Sequence, residues 1–297
     1  MTRLSNLILL AAFILIVTGT ASAEMRIVAS TSDLAYLATA IGGELVEVES
    51  IAHPKADIHF IEVRPSYMVK VRKADLVLRV GLELDQWMDQ IIGGSRNSKV
   101  VEVDCSKYIE PLEVPDFEVD ARHGDIHRYG NPHYWLTPNN LKPVTDAIVE
   151  GLAEVDPANR EQYQQGQKSF LEQLKADLAG LEPLRQKLEG HEIVTYHNSW
   201  PYFNEYTGLT TAGFIEPYPG VPPSPSHVKK LTEKIMERKV RIIGVEPYFD
   251  RRVPDRIARE TNARVVVLYP SIGGRDEDES YIEWLRGNLD ILIGAIE

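Results

Sequence analysis

Three histidines stand in segments that could present ligands to a metal ion. His59 follows the second predicted strand, His133 lies between two prolines, and His197 comes directly after the fifth predicted strand. A neutral imidazole is a borderline-soft nitrogen donor that suits Zn²⁺, and three imidazoles from separate segments can fix three corners of a tetrahedron. These residues therefore predict a site for a divalent transition metal.

The elements that would position these histidines are short runs rich in Val and Ile, which alternate with helical segments in both halves of the chain. Such alternation predicts parallel sheets with buried faces. The ligands of open α/β sheets bind outside the carboxyl ends of the strands, so His59 and His197 are expected to face one cleft from opposite lobes. The predicted strands are Met25–Ser30, Leu45–Ile51, Leu76–Val80 and Val100–Val103 in the first half, and Glu192–Tyr196, Thr211–Ile215, Ile242–Val245 and Val265–Leu268 in the second.

A long helical stretch separates the two halves. If residues 157–188 form one helix, it spans about 48 Å at 1.5 Å per residue and connects the lobes rigidly. The alternative is two packed helices that are broken near Gly180. The predicted organisation is an N-terminal α/β lobe over 24–155, a linking helix over 156–190 and a C-terminal α/β lobe over 191–297.

The first 23 residues have the features of a secretory signal peptide. Arg3 supplies the positive charge, residues 7–17 are an apolar run too short to span a bilayer comfortably, and Ala21-Ser22-Ala23 is a small-residue cleavage site. An uncleaved anchor is the alternative. No cysteine follows the cleavage site, so we expect a soluble periplasmic protein. The single cysteine, Cys105, can form no intramolecular disulfide, which leaves nitrogen and oxygen atoms to hold a metal.

Charge and motif content exclude several classes of function. The net charge of -12 over 297 residues disfavours binding to nucleic acid or to anionic membrane surfaces. The chain contains no G-x-S-x-G elbow, P-loop or dinucleotide fingerprint. His191-Glu192 begins like a zincin signature, but Thr195 stands where the second histidine would be required. None of these enzyme signatures is present, so we do not expect catalysis.

Four segments together resemble the zinc/manganese solute-binding proteins of bacterial ABC importers. They occur in the family's order, and the resemblance extends over nearly the whole chain after the predicted signal peptide. The segments are ADIHFIEVRPS (56–66), KADLVLRVG (73–81), NPHYWLTP (131–138) and YHNSWPYF (196–203).

This resemblance implies a specific architecture and role. The expected fold is α/β, with two lobes that each contain a four-stranded, mainly parallel sheet flanked by helices, joined by one long rigid helix. His59, His133 and His197 would hold one transition metal between the lobes. The protein would deliver that metal to an inner-membrane ABC permease, and we expect it to act as a monomer without inserting into the membrane itself.

The type of metal and its fourth ligand depend on positions where family members differ. Manganese-binding members place a carboxylate where this chain has His197, so three histidines favour Zn²⁺ as the bound ion. Many relatives carry an aspartate in a Leu-Asp-Pro segment, where this chain has Leu268-Tyr269-Pro270, and a phenol with a pKa near 10 is a poor zinc ligand. Glu216 is our first candidate for the fourth ligand, with Glu246 or water as alternatives.

Two further histidines, His123 and His127, precede the His133 motif. This segment resembles a shortened form of the His- and acid-rich loop of zinc-specific relatives, so auxiliary zinc capture is a hypothesis and a solvated loop is the alternative. Other functions stay open: a manganese or iron binder of the same fold, a periplasmic metal chaperone, or a secreted zinc hydrolase with three histidine ligands. Because metal binding needs neutral imidazoles, we expect affinity to fall as the histidines become protonated at low pH.

Overall fold

The computed structural model of the protein describes residues 24–117, 127–218 and 220–297. The predicted signal peptide and His123 lie outside these ranges. Within the described ranges, every helix is too short or too polar to cross a lipid bilayer.

The N-terminal lobe is built on a four-stranded parallel sheet. Its strands are β1 (Met25–Ala29), β2 (Val46–Ser50), β3 (Leu76–Arg79) and β4 (Val101–Asp104), in the order β2-β1-β3-β4. The helices between them are α1 (Ser32–Gly42), α2 (Pro65–Lys73) and α3 (Trp87–Ser95). Cys105 directly follows β4 and is completely buried, as expected for a small apolar side chain at a strand end.

The C-terminal lobe repeats this sheet order. Its strands are β5 (Glu192–Thr195), β6 (Thr210–Phe214), β7 (Ile242–Val245) and β8 (Arg264–Val267), in the order β6-β5-β7-β8, and all of their pairings are parallel. In chain order, α4 (Leu141–Val155) and α5 (Arg160–Gln186) precede β5, and α6 (Pro201–Thr207), α7 (Pro225–Arg238), α8 (Arg252–Glu260) and α9 (Tyr281–Ile296) belong to this half. The two-lobed α/β fold predicted from the sequence is confirmed.

The helix between the sheets is continuous through Gly180, so the alternative break does not occur. It is shorter than the predicted range because Pro157–Asn159 forms a 3₁₀ turn before the α-helix begins. The 27 residues of α5 span about 40 Å. The exact boundaries of the two lobes stay predictions.

Helix α5 is packed into the protein along its length and contacts α1, α4 and α9. One continuous apolar core includes Ile27 of β1, Leu181 of α5, Ile193 of β5 and Trp284 of α9. A second, smaller core lies between the C-terminal sheet and α7 and α8, and contains Leu231. The two lobes therefore share one core through the linking helix, which restricts how they can move relative to each other.

The packing of the linking helix against the N-terminal lobe depends on Gly166. A Cβ atom at this position would lie 2.2 Å from the carbonyl oxygen of Ile41 at the end of α1, so the Gly166→Ala variant must move backbone apart. We expect a loss of about 1 to 3 kcal/mol in the free energy of unfolding, measured by denaturant titration.

Gly180 provides a matched control in the same helix. A Cβ atom there would have no neighbour within 4 Å, and alanine is the better helix former. Gly180→Ala should therefore raise the free energy of unfolding by about 0.5 to 1 kcal/mol. Equal effects of the two substitutions would contradict the close packing of α5 against α1.

Candidate metal centre

The three predicted histidine ligands meet between the two lobes. His59, His133 and His197 each offer a ligand atom, and these atoms all lie within 4.8 Å of one another. The centroids of the rings are separated by 5.2 Å for His59 and His133, 4.9 Å for His59 and His197, and 5.6 Å for His133 and His197. The side chains are nearly inaccessible, since His133 is 2% and His197 is 5% exposed.

Each histidine stands beside a rigid element of the fold. His59 lies in the loop after β2, and Trp87 fixes this loop by donating a hydrogen bond to the carbonyl of Ile58 at 2.9 Å. His133 precedes a 3₁₀ turn that begins at Tyr134. His197 follows β5 by two residues, and its carbonyl accepts a hydrogen bond from the Thr195 hydroxyl at 2.8 Å. The surrounding fold thus sets the positions of all three rings.

The Nδ1 atom of each ring faces an oxygen acceptor. His59 Nδ1 lies 2.8 Å from Asp57 Oδ1, and His197 Nδ1 lies 3.0 Å from Glu216 Oε2. Because an ionised carboxylate oxygen only accepts hydrogen bonds, Nδ1 is the protonated nitrogen of both rings. The Nε2 atoms then carry the lone pairs that could bind a metal, which is the usual arrangement of a ligating histidine and its outer partner.

The tautomer of His133 follows from the orientation of Asn131. The amide nitrogen of Asn131 donates to the carbonyl of Asn198 at 2.8 Å and to Glu113 at 3.2 Å, so its Oδ1 atom is the one that faces His133. Asn131 Oδ1 lies 3.0 Å from His133 Nδ1 and therefore accepts from it. This chain of contacts also joins the His133 segment of one lobe to the residue after His197 in the other.

Burial keeps the rings of His133 and His197 neutral. It lowers the pKa of His133 well below its ordinary value, with the neighbouring histidines acting in the same direction, and it lowers the pKa of His197 against the opposing effect of the hydrogen bond to Glu216. Burial tends to raise the pKa of Asp57, but the hydrogen bonds that it accepts from the ring and backbone of His59 outweigh it and lower this pKa. The cluster therefore has neutral nitrogen donors at His133 and His197 and an ionised carboxylate at Asp57, which is the protonation state that metal binding requires.

Both candidate glutamates contact the segment of His197. Glu216 accepts from His197 Nδ1 through Oε2, and it is not a member of the three-residue group within 4.8 Å. Glu246 Oε1 accepts hydrogen bonds from the Ser199 hydroxyl at 2.8 Å and from Trp200 Nε1 at 2.9 Å. Burial raises the pKa of Glu246 to about 7. In the structure, both carboxylates hold the turn that carries His197.

The Tyr269-Pro270 segment is fixed by indole groups. The carbonyl of Tyr269 accepts a hydrogen bond from Trp284 Nε1 at 2.7 Å. The carbonyl of Pro270 accepts one from Trp135 Nε1 at 2.8 Å, and Trp135 stands two residues after His133. This segment therefore joins the C-terminal lobe to the His133 turn.

The sequence analysis missed Asp57 and Asn131, although a pattern in the sequence could have found them. Each stands two residues before a histidine, in Asp57-Ile58-His59 and Asn131-Pro132-His133. In both cases one side-chain oxygen contacts the backbone N–H of the histidine, at 3.0 Å, as well as its Nδ1 atom. An Asx residue at this spacing can thus orient a histidine locally.

His127 also lies at the cluster. Its ring centroid is 5.6 Å from that of His59, and the residue lines the same cavity as His133 and His197. Burial lowers the pKa of His127 to about 3, so this ring is neutral as well. The sequence predicted only an auxiliary role for His127 in a loop, whereas the structure places it beside the three candidate ligands.

Relatives and solved structures of the same kind cover almost the whole chain. The high-affinity zinc uptake system protein ZnuA of Yersinia pestis is 25% identical over 281 residues, which are 89% of this chain and 88% of that protein. The iron-binding protein YfeA of Yersinia pestis is 26% identical over 278 residues, which are 91% of this chain and 85% of that protein. A crystal structure of ZnuA superimposes with a TM-score of 0.80 at 26% identity and covers 93% of this chain and all of that one.

A family model also matches most of the chain. The family described as ZnuA, zinc-uptake complex component A, periplasmic, matches residues 27–295, which include nearly all of both sheets, the linking helix and all three histidines of the cluster. The chain therefore belongs to this family of metal-binding components of ABC importers.

Proposed function

We propose that this protein captures Zn²⁺ in the cleft between its lobes and delivers it to an inner-membrane ABC permease. The observation that supports this most directly is the convergence of His59, His133 and His197, each with Nδ1 held by an oxygen acceptor. Three ligands prepared in this way would bind an ion without first reorienting. The family consists of binding proteins and not enzymes, so the hydrolase alternative is set aside.

The donor set favours zinc over manganese. Imidazole nitrogen suits Zn²⁺, whereas Mn²⁺ prefers carboxylate, carbonyl and water oxygens. Overall similarity does not decide between metals, because relatives of nearly equal identity are named for zinc and for iron. We therefore base the choice of zinc on the three imidazole rings. A manganese or iron binder of the same fold is the alternative.

In this proposal Glu216 orients His197 from outside the ligand set. A carboxylate oxygen that accepts from Nδ1 makes the opposite nitrogen more basic and strengthens its bond to the metal. The remaining features of the proposal follow from the sequence: residues 1–23 direct export and are removed, and the mature protein works as a monomer in the periplasm, with the permease as its partner.

Competition between Zn²⁺ and Mn²⁺ for the metal-free protein tests the proposed metal. We expect Zn²⁺ to displace Mn²⁺ from the wild-type protein. In His197→Asp, which introduces a harder oxygen donor, the ratio of zinc affinity to manganese affinity should be smaller. If Mn²⁺ binds the wild-type protein more tightly than Zn²⁺, the choice of zinc is wrong. Zinc uptake by membranes that contain the permease, with and without this protein, tests delivery.

Asp57→Ala tests the preorganisation of the site. The substitution leaves His59 in place but removes the oxygen that fixes its ring and backbone. We expect zinc affinity to fall by about 10- to 100-fold, the usual cost of losing an outer partner, in a titration against a chromophoric chelator. Glu62→Ala is the control in the same loop, because the Glu62 side chain is 79% exposed, and it should leave affinity unchanged.

A further inference from the structure

Two buried imidazole nitrogens at the cluster have no hydrogen-bond partner. Among the described residues, the unpartnered buried side-chain atoms include Nε2 of His59 and Nε2 of His127. Leaving a buried polar atom unpaired costs roughly 1 to 3 kcal/mol, so each such atom in a folded protein calls for an explanation. For Nε2 of His59, the missing partner is explained by the metal ion that this atom would bind. Nε2 of His127 is also unpartnered, and the ring of His127 lies next to that of His59.

The loop after β3 holds His127 in place. The ring of His127 interacts with the backbone of Leu82, and its Nε2 atom is buried without a hydrogen-bond partner. The next residue, Arg128, contacts Glu83 through its backbone N–H at 3.1 Å and through its guanidinium at 3.0 Å. His127 therefore shares with His59 a buried Nε2 atom that has no partner, and the residue after it is fixed by Glu83.

The loop that provides these contacts has an unusual backbone. Leu82 and Glu83 have φ angles of 49° and 66°, in the left-handed region that residues other than glycine seldom adopt. Such conformations cost energy and persist where the surrounding structure requires them, often at functional sites. Here they place the Leu82 backbone near His127 and the Glu83 carboxylate against Arg128, so one strained turn contacts both residues.

The distances agree with a ligand that completes the site. The 5.6 Å between the ring centroids of His59 and His127 equals the separation of His133 and His197, two of the three candidate ligands. His127 stands outside the group whose ligand atoms lie within 4.8 Å, so it would have to move toward the ion as the ion binds. Glu216, the first candidate for the fourth ligand in the sequence analysis, already accepts a hydrogen bond from His197 Nδ1.

We propose that His127 is the fourth ligand of the metal, bound through Nε2, so that four imidazoles surround the ion and exclude water from its fourth corner. This inference rests on the proposed function, in which His59, His133 and His197 bind zinc. Four nitrogen donors form a closed tetrahedral site for Zn²⁺ and oppose the oxygen-rich coordination that Mn²⁺ prefers.

The test uses His127→Gly in the otherwise unchanged chain, with Zn²⁺ and Co²⁺ as probes. Zinc affinity should fall by at least about 10-fold, because water replaces an imidazole, and added free imidazole should restore most of it by filling the vacated corner. The visible absorption bands of the Co²⁺-loaded protein should shift in the variant and return on addition of imidazole. His53→Gly is the control, since His53 is exposed, and it should change none of these quantities.

The outcomes separate this inference from the proposed function. If His127→Gly binds zinc as tightly as the wild type with the same Co²⁺ spectrum, the fourth-ligand proposal is overturned while the three-histidine site stands. A fall in affinity that imidazole does not restore, with an unchanged Co²⁺ spectrum, also overturns it, because His127 would then act only through packing. If the wild-type protein itself binds no zinc, the proposed function fails first.

Discussion

Replacing His133 by alanine should lower the zinc affinity of the protein by more than about 100-fold. Loss of an outer partner alone costs about 10- to 100-fold, and removal of a ligand takes away the metal–nitrogen bond itself. His133 is 2% exposed and lies within 5.6 Å, centroid to centroid, of both other rings of the cluster. A competition titration of the metal-free variant against a chromophoric chelator measures this loss.

Thermal unfolding gives an independent measurement of the same effect. A ligand at 1,000 times its dissociation constant stabilises the folded state by about 4 kcal/mol, so excess Zn²⁺ should raise the Tm of the wild-type protein clearly. His133→Ala should show little or no such increase. His133→Gln, which fills more of the space, should behave like the alanine variant if the ring nitrogen is what matters.

His191→Ala is the matched control, because His191 directly precedes β5 and lies outside the three-histidine group. It should bind zinc like the wild type and show the full increase in Tm. If His133→Ala and His191→Ala bound zinc equally well, the assignment of the site would be wrong, provided that circular dichroism shows both variants to be folded.

The sequence predicted where the strands lie and therefore where two of the histidines lie. Each of the eight predicted runs rich in Val and Ile begins and ends within one residue of an observed strand. Because parallel strands present their carboxyl ends at one edge of a sheet, His59 and His197 could be expected to face the same cleft. His133 was identified by its motif and not by periodicity, since it lies in an irregular segment before a 3₁₀ turn.

The partners of the histidines could not be predicted from periodicity. Glu216 reaches His197 because β6, which ends just before it, pairs with β5, and such a contact depends on the register of two strands. The role of Asn131 depends on contacts with Glu113 and with Asn198 of the other lobe. These are tertiary distances, and alternating hydrophobicity carries no information about them.

The shared core also escaped the sequence analysis. Strand and helix patterns suggested two separate lobes with a rigid connector, whereas Leu181 of α5 and Trp284 of α9 belong to the same core as Ile27 of β1. Helix α9 begins with a capping box formed by Ser280 and Glu283, a signal that is present in the sequence. Which lobe such a helix joins depends on packing between distant segments.

The lobes are also joined at Asp33, a buried carboxyl group near the start of α1. Asp33 Oδ1 accepts a hydrogen bond at 2.9 Å from the backbone N–H of Ile272, which lies in the segment after β8. The hydroxyl of Ser32 donates to the carbonyl of the same residue at 2.8 Å. Asp33 Oδ2 has no hydrogen-bond partner, and Asp33 is only 2% exposed. Burial accordingly raises the pKa of Asp33 to about 7.

The raised pKa determines how this contact responds to pH. The unfolded chain releases the proton of Asp33 near 3.8, and the folded protein releases it near 7. Between these pH values Asp33 is protonated in the folded state and ionised in the unfolded state. The free energy of unfolding therefore declines as pH rises through this window, and the decline is complete above pH 7. Buried His133 and His197 have the opposite effect. Because their pKa values are lowered in the folded state, they decrease the free energy of unfolding as pH falls below about 6.5.

Asp33→Asn should therefore stabilise the protein at alkaline pH and not at acidic pH. Asparagine keeps an oxygen for the Ile272 N–H and carries no charge, so the variant should gain about 2 to 4 kcal/mol in the free energy of unfolding at pH 9, at about 1.4 kcal/mol per pKa unit. At pH 4 the two proteins should differ by less than about 0.5 kcal/mol. Comparison of the two proteins at equal pH cancels the histidine contributions.

Asp290→Asn is the control, because Asp290 is exposed, and it should change the free energy of unfolding by less than about 0.5 kcal/mol at either pH. If Asp33→Asn stabilised the protein equally at pH 4 and pH 9, burial of the charge would not be the cause of the gain.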